Sequence, residues 1–507
     1  MMKKSNQLKI GVVISYLSMI AGIVISLVYT PVMLRQLGDS EYGVYSLSSS
    51  VINCLSLLSL GFGSSYIRFY YRYKSVDDEE GINKLNSLFF VVFCIISLCA
   101  LLGGLFIVFN TELVLGGKLT ASELDTARVL MCFMTVNVTV TFINTIYDNF
   151  ITAHEEFFYQ KSIKLLITVL NPLLTLPLLF LGFKSVAITF IATLLTFSKL
   201  FLNMHFCLKK LNMKFDFKDM DFNLLKEIGA FSFFIFINMI IDQINWNVDK
   251  FILGKYVGSI AVAVYSIGAQ INTHYLTLSS AISGVFIPRV NRLVTENEDT
   301  KQVSELFTRV GRIQFMVLWL VLFGFALYGQ YFIGVWAGDG YEDAYYIALL
   351  LIIPVTIPLI QNLGIEIQRA MNMHQFRSYT YLFMAIINVG ISIILAKAYG
   401  GIGVALGTAI SLIVGNGIIM NLYYQFKMKL DIIGFWKSIL RFVPALLISS
   451  IIAIIFKNCL GNLTFIKFAV GCLFTAVDIV VCYYLLAMNN YEKNLIKKIP
   501  AKLLKRG

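Results

Sequence analysis

Apolar residues run continuously along this chain, neither alternating as in a half-buried strand nor confined to a narrow helical stripe. The runs recur from Leu8 to Met488, with polar segments between them no longer than about 25 residues. A helix that crosses a bilayer needs about 20 such residues, so the pattern predicts about fourteen transmembrane helices and an all-α polytopic fold. The first seven spans are 10–33, 42–66, 86–110, 124–149, 165–183, 186–206 and 229–251. The others are 259–286, 313–336, 344–368, 379–399, 402–426, 436–456 and 465–487. Only Lys184 and Ser185 join the fifth to the sixth, and only Gly400 and Gly401 the eleventh to the twelfth, so two tight hairpins are expected.

Charge tests that division. With the N-terminus in the cytoplasm, the inner segments are 1–9, 67–85, 150–164, 199–228, 287–312, 369–378, 427–441 and 488–507, and they hold 32 of the 41 Lys and Arg residues. The other 9 are Arg35, Lys118, Arg128, Lys184, Lys250, Lys255, Lys397, Lys457 and Lys467. Cytoplasmic loops carry the excess of Lys and Arg. A thirteen-helix division would export the basic tail from Asn489 to Gly507 and spoil the asymmetry. The expectation is a multi-pass protein of a bacterial-type inner or cell membrane with both termini cytoplasmic.

Composition adds exclusions. Only 14% of residues are charged and 58% are hydrophobic, against roughly 25% charged in soluble domains. No soluble catalytic domain fits between the spans. The net charge of +12 sits in short loops that face anionic lipid, and no basic groove with interleaved aromatics is present, so nucleic acid is not an expected partner. The first apolar stretch, of about 24 residues, exceeds the apolar core of a signal peptide, about 7–15 residues, and no small-residue cleavage site follows it. Cys54, Cys94, Cys99, Cys132, Cys472 and Cys482 fall inside spans, while Cys207 and Cys459 sit at opposite edges. Without a Cys-x-x-Cys pair they indicate neither a disulfide framework nor a zinc site. No metal or cofactor is expected.

The chain also repeats itself. Leu37 to Ser46 reads LGDSEYGVYS, and 220 residues later Val257 to Ser266 reads VGSIAVAVYS. Ile67 and Arg72 fall on Ile287 and Arg292 at the same offset. Both copies lie at an outer turn entering an even-numbered helix, so helix one maps onto seven and two onto eight in the same orientation. The resulting organisation is a six-helix bundle over 1–208, a second over 209–428, and two further helices with a basic tail over 429–507. A parallel repeat of this kind is a transporter architecture.

Polar side chains inside spans cost free energy and therefore face a cavity or a partner; a central Asp, Lys or Arg costs about 2.5–3.5 kcal/mol. The seventh span is densest, with Asn238, Asp242, Asn245 and Asp249 on one helical face by their three- and four-residue spacing. The eighth offers Gln270, Asn272 and His274; the second, Ser46, Ser49, Asn53 and Ser56, followed by Arg68. The fourth carries Asn137, Thr141, Asn144 and Asp148, and in the tenth Pro354 and Pro358 precede Gln361, Asn362 and Glu366. Two readings stand beside each other. Amides and hydroxyls in membrane helices often bond neighbouring helices together, and Arg68, Asp148 and Glu366 can snorkel or pair at the cytoplasmic edge. Asp242, deeper and sharing its face with three polar residues, points to function. Asp478 stands alone on an apolar background, and Gly403 and Gly407 read as a close-packing face.

Motifs for catalysis are missing. There is no Gly-x-x-x-x-Gly-Lys-Ser/Thr loop, no Gly-x-Ser-x-Gly elbow and no His-Glu-x-x-His pair, so neither P-loop ATP hydrolysis nor those hydrolytic chemistries is indicated.

The segment from Ile241 to Gly254, IDQINWNVDKFILG, followed by Val264-Tyr265-Ser266, resembles bacterial polysaccharide-biosynthesis flippases. So do Leu34 to Tyr45 and Ile67-Arg68. The chain is similar to the Wzx-type repeat-unit flippases of the MATE-like exporter superfamily. That resemblance implies two six-helix bundles in a V around a central cavity, with two added helices. It implies a substrate of oligosaccharide on polyprenyl diphosphate, flipped from the cytoplasmic to the outer leaflet for O-antigen, capsule or another surface polysaccharide. A polysaccharide polymerase and glycosyltransferases are the implied partners. The candidate diphosphate ligands are Arg68, Arg289 and Arg292. The predicted spans one, two, seven and eight carry no deep cation, which places these at the cytoplasmic mouth. Asn53, Asn238, Asp242, Asn245, Gln270 and His274 would line the path, with Asp242 and Asp249 as ion-coupling candidates. The alternatives are a cation-coupled multidrug or metabolite exporter, or a peptidoglycan-precursor flippase, of the same superfamily. A membrane enzyme on the same lipid carrier would need a larger outer loop than this chain has.

Overall fold

The computed structural model describes residues 4–218, 222–296, 300–371, 373 and 375–494. Its first ten helices are α1 (Lys4–Leu37), α2 (Asp39–Asn53), α3 (Phe62–Lys74), α4 (Glu79–Phe109), α5 (Thr111–Leu115), α6 (Ala121–Ala153), α7 (Phe157–Phe180), α8 (Lys184–His205), α9 (Phe222–Tyr256) and α10 (Ser259–Gly284). There follow α11 (Ile287–Glu296), α12 (Thr300–Trp336), α13 (Glu342–Ile360), α14 (Leu363–Ala370), α15 (Gln375–Leu412), α16 (Asn421–Phe426), α17 (Ile432–Leu440), α18 (Val443–Leu460) and α19 (Phe465–Cys482). Among the described residues there is no strand.

Ten helical stretches among the described residues are long and apolar enough to cross a membrane. The predicted fourteen is not confirmed by that measure, for identifiable reasons. The stretch Gln375–Phe426 contains two predicted spans, separated where Gly400 leaves helical geometry with φ 55° and ψ −133°. The second predicted span is not one helix. After α2 the chain tightens into a 3-10 turn over Cys54–Ser59, and Leu60 and Gly61 take φ of 49° and 74° before α3 begins. Glycine reaches that left-handed region without a Cβ penalty. The polar seventh and eighth spans are helical, within α9 and as α10, and are not among the ten. The predicted hairpin at Lys184 is present, with Gly182 at φ 87° and Lys184 at φ 49°.

The chain divides into two compact units, Met1–Ser266 with Ala396–Gly401, and Ile267–Leu395 with Ile402–Gly507. An aromatic cluster fills the first, including Tyr66, Tyr70, Phe89, Phe93, Phe142 and Phe150. In the second, α17 and α19 dock on α12: Phe307 meets Phe435 at 4.9 Å between ring centres, Phe315 meets Phe442 at 5.4 Å, and Phe442 meets Tyr483 at 5.2 Å. Large apolar side chains are also turned outward, such as Phe106, Phe201, Leu447, Ile451 and Leu473. In lipid that is the favourable arrangement, because backbone polar groups are satisfied within each helix and apolar side chains meet the acyl chains.

Candidate functional site

The site of interest in the first unit forms where α2 meets α9 and the first turns of α10. Small residues permit the approach. A Cβ on Gly43 would overlap the Ser259 carbonyl oxygen, and one on Gly254 would press on Leu47 Cδ2 at 2.5 Å. The same region is tied by carboxylates. Glu41 accepts from the Ser185 N–H and hydroxyl at 3.0 and 2.6 Å and pairs with Lys184 at 3.2 Å. Glu123, in the capping box that opens α6, accepts from Ser40 at 2.5 Å and also from Ser259. Ser46 and Ser266, equivalent positions of the repeat, share a hydrogen bond of 2.7 Å.

Two charged residues lie beside this contact. Asp249 is only 3% exposed and accepts a hydrogen bond of 2.5 Å from the Tyr265 hydroxyl. A buried carboxylate is tolerated only when such donors replace water. Lys250 donates to Ser46 at 3.2 Å. Lys250 lies at the outer end of the predicted span 229–251; α9 continues past it to Tyr256, and the lysine reaches α2. A carboxylate, a phenol and an ammonium grouped in this way can hold a proton or an anion, or exchange one for the other.

Further along α9, Gln243 donates to the Asn53 carbonyl at 3.1 Å and to Ser56 at 2.8 Å, and Asn247 donates to Gln243 at 2.5 Å. The Asn53 amide donates to Ser49 at 3.4 Å, and its side chain is exposed. Asn53 and Ser49 also line a cavity of about 140 Å3 with Tyr45, Asn137 and Thr193. Arg68 on α3 is exposed. The side chains of Asn238, Asp242 and Asn245 lie outside the described residues.

The second unit holds the other candidates. Gln270 and His274, one turn apart on α10, are half-buried, and Arg289 and Arg292 on α11 are exposed. Arg68, Asn53 and Asp249 belong to the first unit, so the nominated residues are divided between the two.

Several polar residues act as ties between helices. Asp148 pairs with Lys199 at 2.5 Å and accepts from Asn203 at 2.8 Å and Asn144 at 2.8 Å, joining α6 to α8. Gln361 donates to Asn421 at 2.8 Å, and Trp436 donates to the same oxygen at 2.9 Å. Ser449 donates to Asp478 at 2.5 Å, which gives that isolated acid a partner on the neighbouring helix. Glu366 pairs with Arg369 at 2.9 Å. Gly407 packs on Ser392, whose Oγ a Cβ would meet at 2.6 Å.

Solved structures share the fold. The lipid II flippase MurJ, in an inward closed conformation, superposes with a TM-score of 0.73 at 16% identity, covering 96% of this chain and 99% of its own. An inward-facing multidrug resistance MATE family transporter of the MOP superfamily gives 0.63 at 15% identity, covering 83% and 99%. A curated relative is the "Probable low-salt glycan biosynthesis flippase Agl15" of Haloferax volcanii, 20% identical over 264 residues. That match spans 50% of this chain and about half, 54%, of the relative. Residues 9–294 match the model of the polysaccharide biosynthesis protein family. The match covers more than half of the chain, which belongs to that family. These relatives are flippases and a transporter, not enzymes.

Proposed function

We propose that this protein flips oligosaccharide repeat units carried on polyprenyl diphosphate from the cytoplasmic to the outer leaflet. The product would be an O-antigen, capsule or other surface polysaccharide, assembled with a polymerase and glycosyltransferases. The observation that carries the reading is the family match over residues 9–294. The physical problem fits the site: diphosphate and sugar hydroxyls cannot enter hydrocarbon without replacement partners. The polar residues of α2 and α9 supply partners, while the polyprenyl tail stays in lipid.

In this proposal residues 1–208 and 209–428 are the bundles that alternate access and 429–507 the appendix, with both termini in the cytoplasm of the inner or cell membrane. Arg68, Arg289 and Arg292 capture the diphosphate, and Asn53, Asn238, Asp242, Asn245, Gln270 and His274 line the path. Asp249, bonded to Tyr265, or Asp242 carries the coupling proton or cation. The test is to shut off the protein in cells and locate the polyprenyl-diphosphate pool with an external glycan-cleaving enzyme. Complete repeat units trapped on the inner leaflet, with loss of surface glycan, are expected; an unchanged pool refutes the proposal.

A second reading, export of a peptidoglycan precursor, draws support from the likeness to MurJ. Under it the trapped lipid in the same extract carries the peptidoglycan disaccharide rather than a polysaccharide repeat unit.

A further inference from the structure

Away from the residues proposed for transport, the second unit contains a cavity of about 1020 Å3. Its walls are the start of α12, the turn into α17, the α17–α18 junction and the chain just after α19. Five basic residues line it, Lys301, Arg309, Arg312, Lys429 and Arg441, against the two acids Glu305 and Asp431. Arg312 is matched by Glu492, outside the lining, at 2.6 Å with both side chains buried. With Lys301 left out of the balance, Arg309, Lys429 and Arg441 exceed the two lining acids by one charge. Arg309 lies 4.5 Å from the Tyr491 ring centre, a cation–π contact between two lining residues. Asp431 accepts from the Gly434 N–H at 2.8 Å, part of its charge being engaged at the start of α17.

One side of the cavity is apolar, made by Pro444, Leu486, Ala487 and Met488. Leu440 and Leu447, four residues before and three after Pro444, and Leu485, next to Leu486, are 59%, 60% and 67% exposed. These elements flank predicted spans 313–336, 436–456 and 465–487 on the side that the Lys and Arg distribution assigns to the cytoplasm. A positive cavity opening onto an apolar track at the level of the inner headgroups matches a lipid that bears one net negative phosphate and has acyl chains attached.

We propose that this cavity holds the phosphate headgroup of an anionic phospholipid of the inner leaflet, with an acyl chain along Leu440 at the end of α17 and Leu447 on α18. A headgroup that carries its own ammonium would cancel the attraction. Free phosphate would share the cationic wall and gain nothing from the apolar one.

The experiment uses the full-length protein in mild detergent, with native mass spectrometry reading retained phosphatidylglycerol or phosphatidylcholine of the same acyl composition. Phosphatidylglycerol should be retained preferentially. Each basic residue near the headgroup is worth about fivefold in affinity, so Lys429→Gln with Arg441→Gln should weaken phosphatidylglycerol about 30-fold and leave phosphatidylcholine unchanged. Both side chains are exposed, and a thermal melt reports whether the double variant still folds; Arg309→Gln alone, about fivefold weaker, serves in its place if it does not. Equal retention of the two lipids, or unaltered retention by the folded variants, overturns the proposal. Displacement of phosphatidylglycerol by inorganic phosphate at equal concentration also overturns it, in favour of a free-phosphate site.

Discussion

Replacing Arg312 by methionine removes the positive half of the pair that fastens the segment after α19 to α12. In the wild type, Arg312 Nε and Nη2 donate to the two Glu492 carboxylate oxygens at 2.6 and 2.9 Å. Its remaining donors reach the Ser438 carbonyl at 2.5 Å and the Ala487 carbonyl at 2.9 Å, and the guanidinium lies 4.4 Å from the Phe442 ring centre. Side-chain exposure is 6% for Arg312 and 1% for Glu492, so the abandoned carboxylate has little water to turn to. Removing one partner of such a pair costs about 3–5 kcal/mol, whereas replacing both by apolar groups of similar volume is often close to neutral. The expectation is therefore a loss of about 4 kcal/mol for Arg312→Met, and recovery of at least about 2 kcal/mol when Glu492→Leu is added. Reversible unfolding in mixed SDS and mild-detergent micelles measures both, followed by tryptophan fluorescence. Three of the four tryptophans, Trp319, Trp336 and Trp436, lie in the same unit as the pair. A cost below about 1 kcal/mol for the single variant would refute the reasoning, as would a double variant equal to the sum of the two singles.

At the α2–α10 contact, Gly43→Ala places a methyl against the Ser259 carbonyl and should destabilise by about 1–3 kcal/mol; Gly22→Ala, with nothing within 4 Å, should be neutral in the same unfolding assay. Asp249→Asn keeps an oxygen for Tyr265 but removes the charge, so surface-glycan production should fall steeply while protein level in the membrane is unchanged; wild-type glycan would exclude the coupling role. Lys199→Met strands Asp148 beside Asn144 and Asn203, and because the pair is part-exposed at 32% and 24% the cost should be about 1 kcal/mol, reversed by adding Asp148→Asn. Reporter fusions at Gly507 and after Gly461 should report opposite sides of the membrane, cytoplasmic for the first; the same side for both would remove one crossing.

What could be read in advance followed from local chemistry. The hairpin at Lys184 and the turn at Gly400 were legible because glycine and a charge interrupt long apolar runs at single points. The break at Leu60 and Gly61 was not, because the surrounding residues remain apolar and hydropathy does not register a left-handed turn. The repeat identified Ser46 and Ser266 as equivalent positions without any indication that they would touch. The predicted span ends at residue 251 because the apolar window ends there, although the helix carries on to Tyr256, and nothing local signals that Lys250 reaches Ser46. The Arg312–Glu492 pair joins residues 180 apart, and no local pattern announces a contact of that range.

The Ser46–Ser266 bond has the form of an isologous contact, in which one surface patch meets its own copy across a two-fold axis. In a homodimer any substitution there is made twice and must be compatible with itself. Joining both copies in one polypeptide lifts that restriction, and the two turns differ accordingly. Glu41 and Gly43 in one correspond to Ala261 and Ala263 in the other. The first turn holds Ser185 and Lys184 through its carboxylate, while the second presents Ser259 to Glu123. Single-chain construction thus lets one copy specialise as an anchor and the other as its counterpart, a division of labour that a symmetric dimer of identical subunits cannot make.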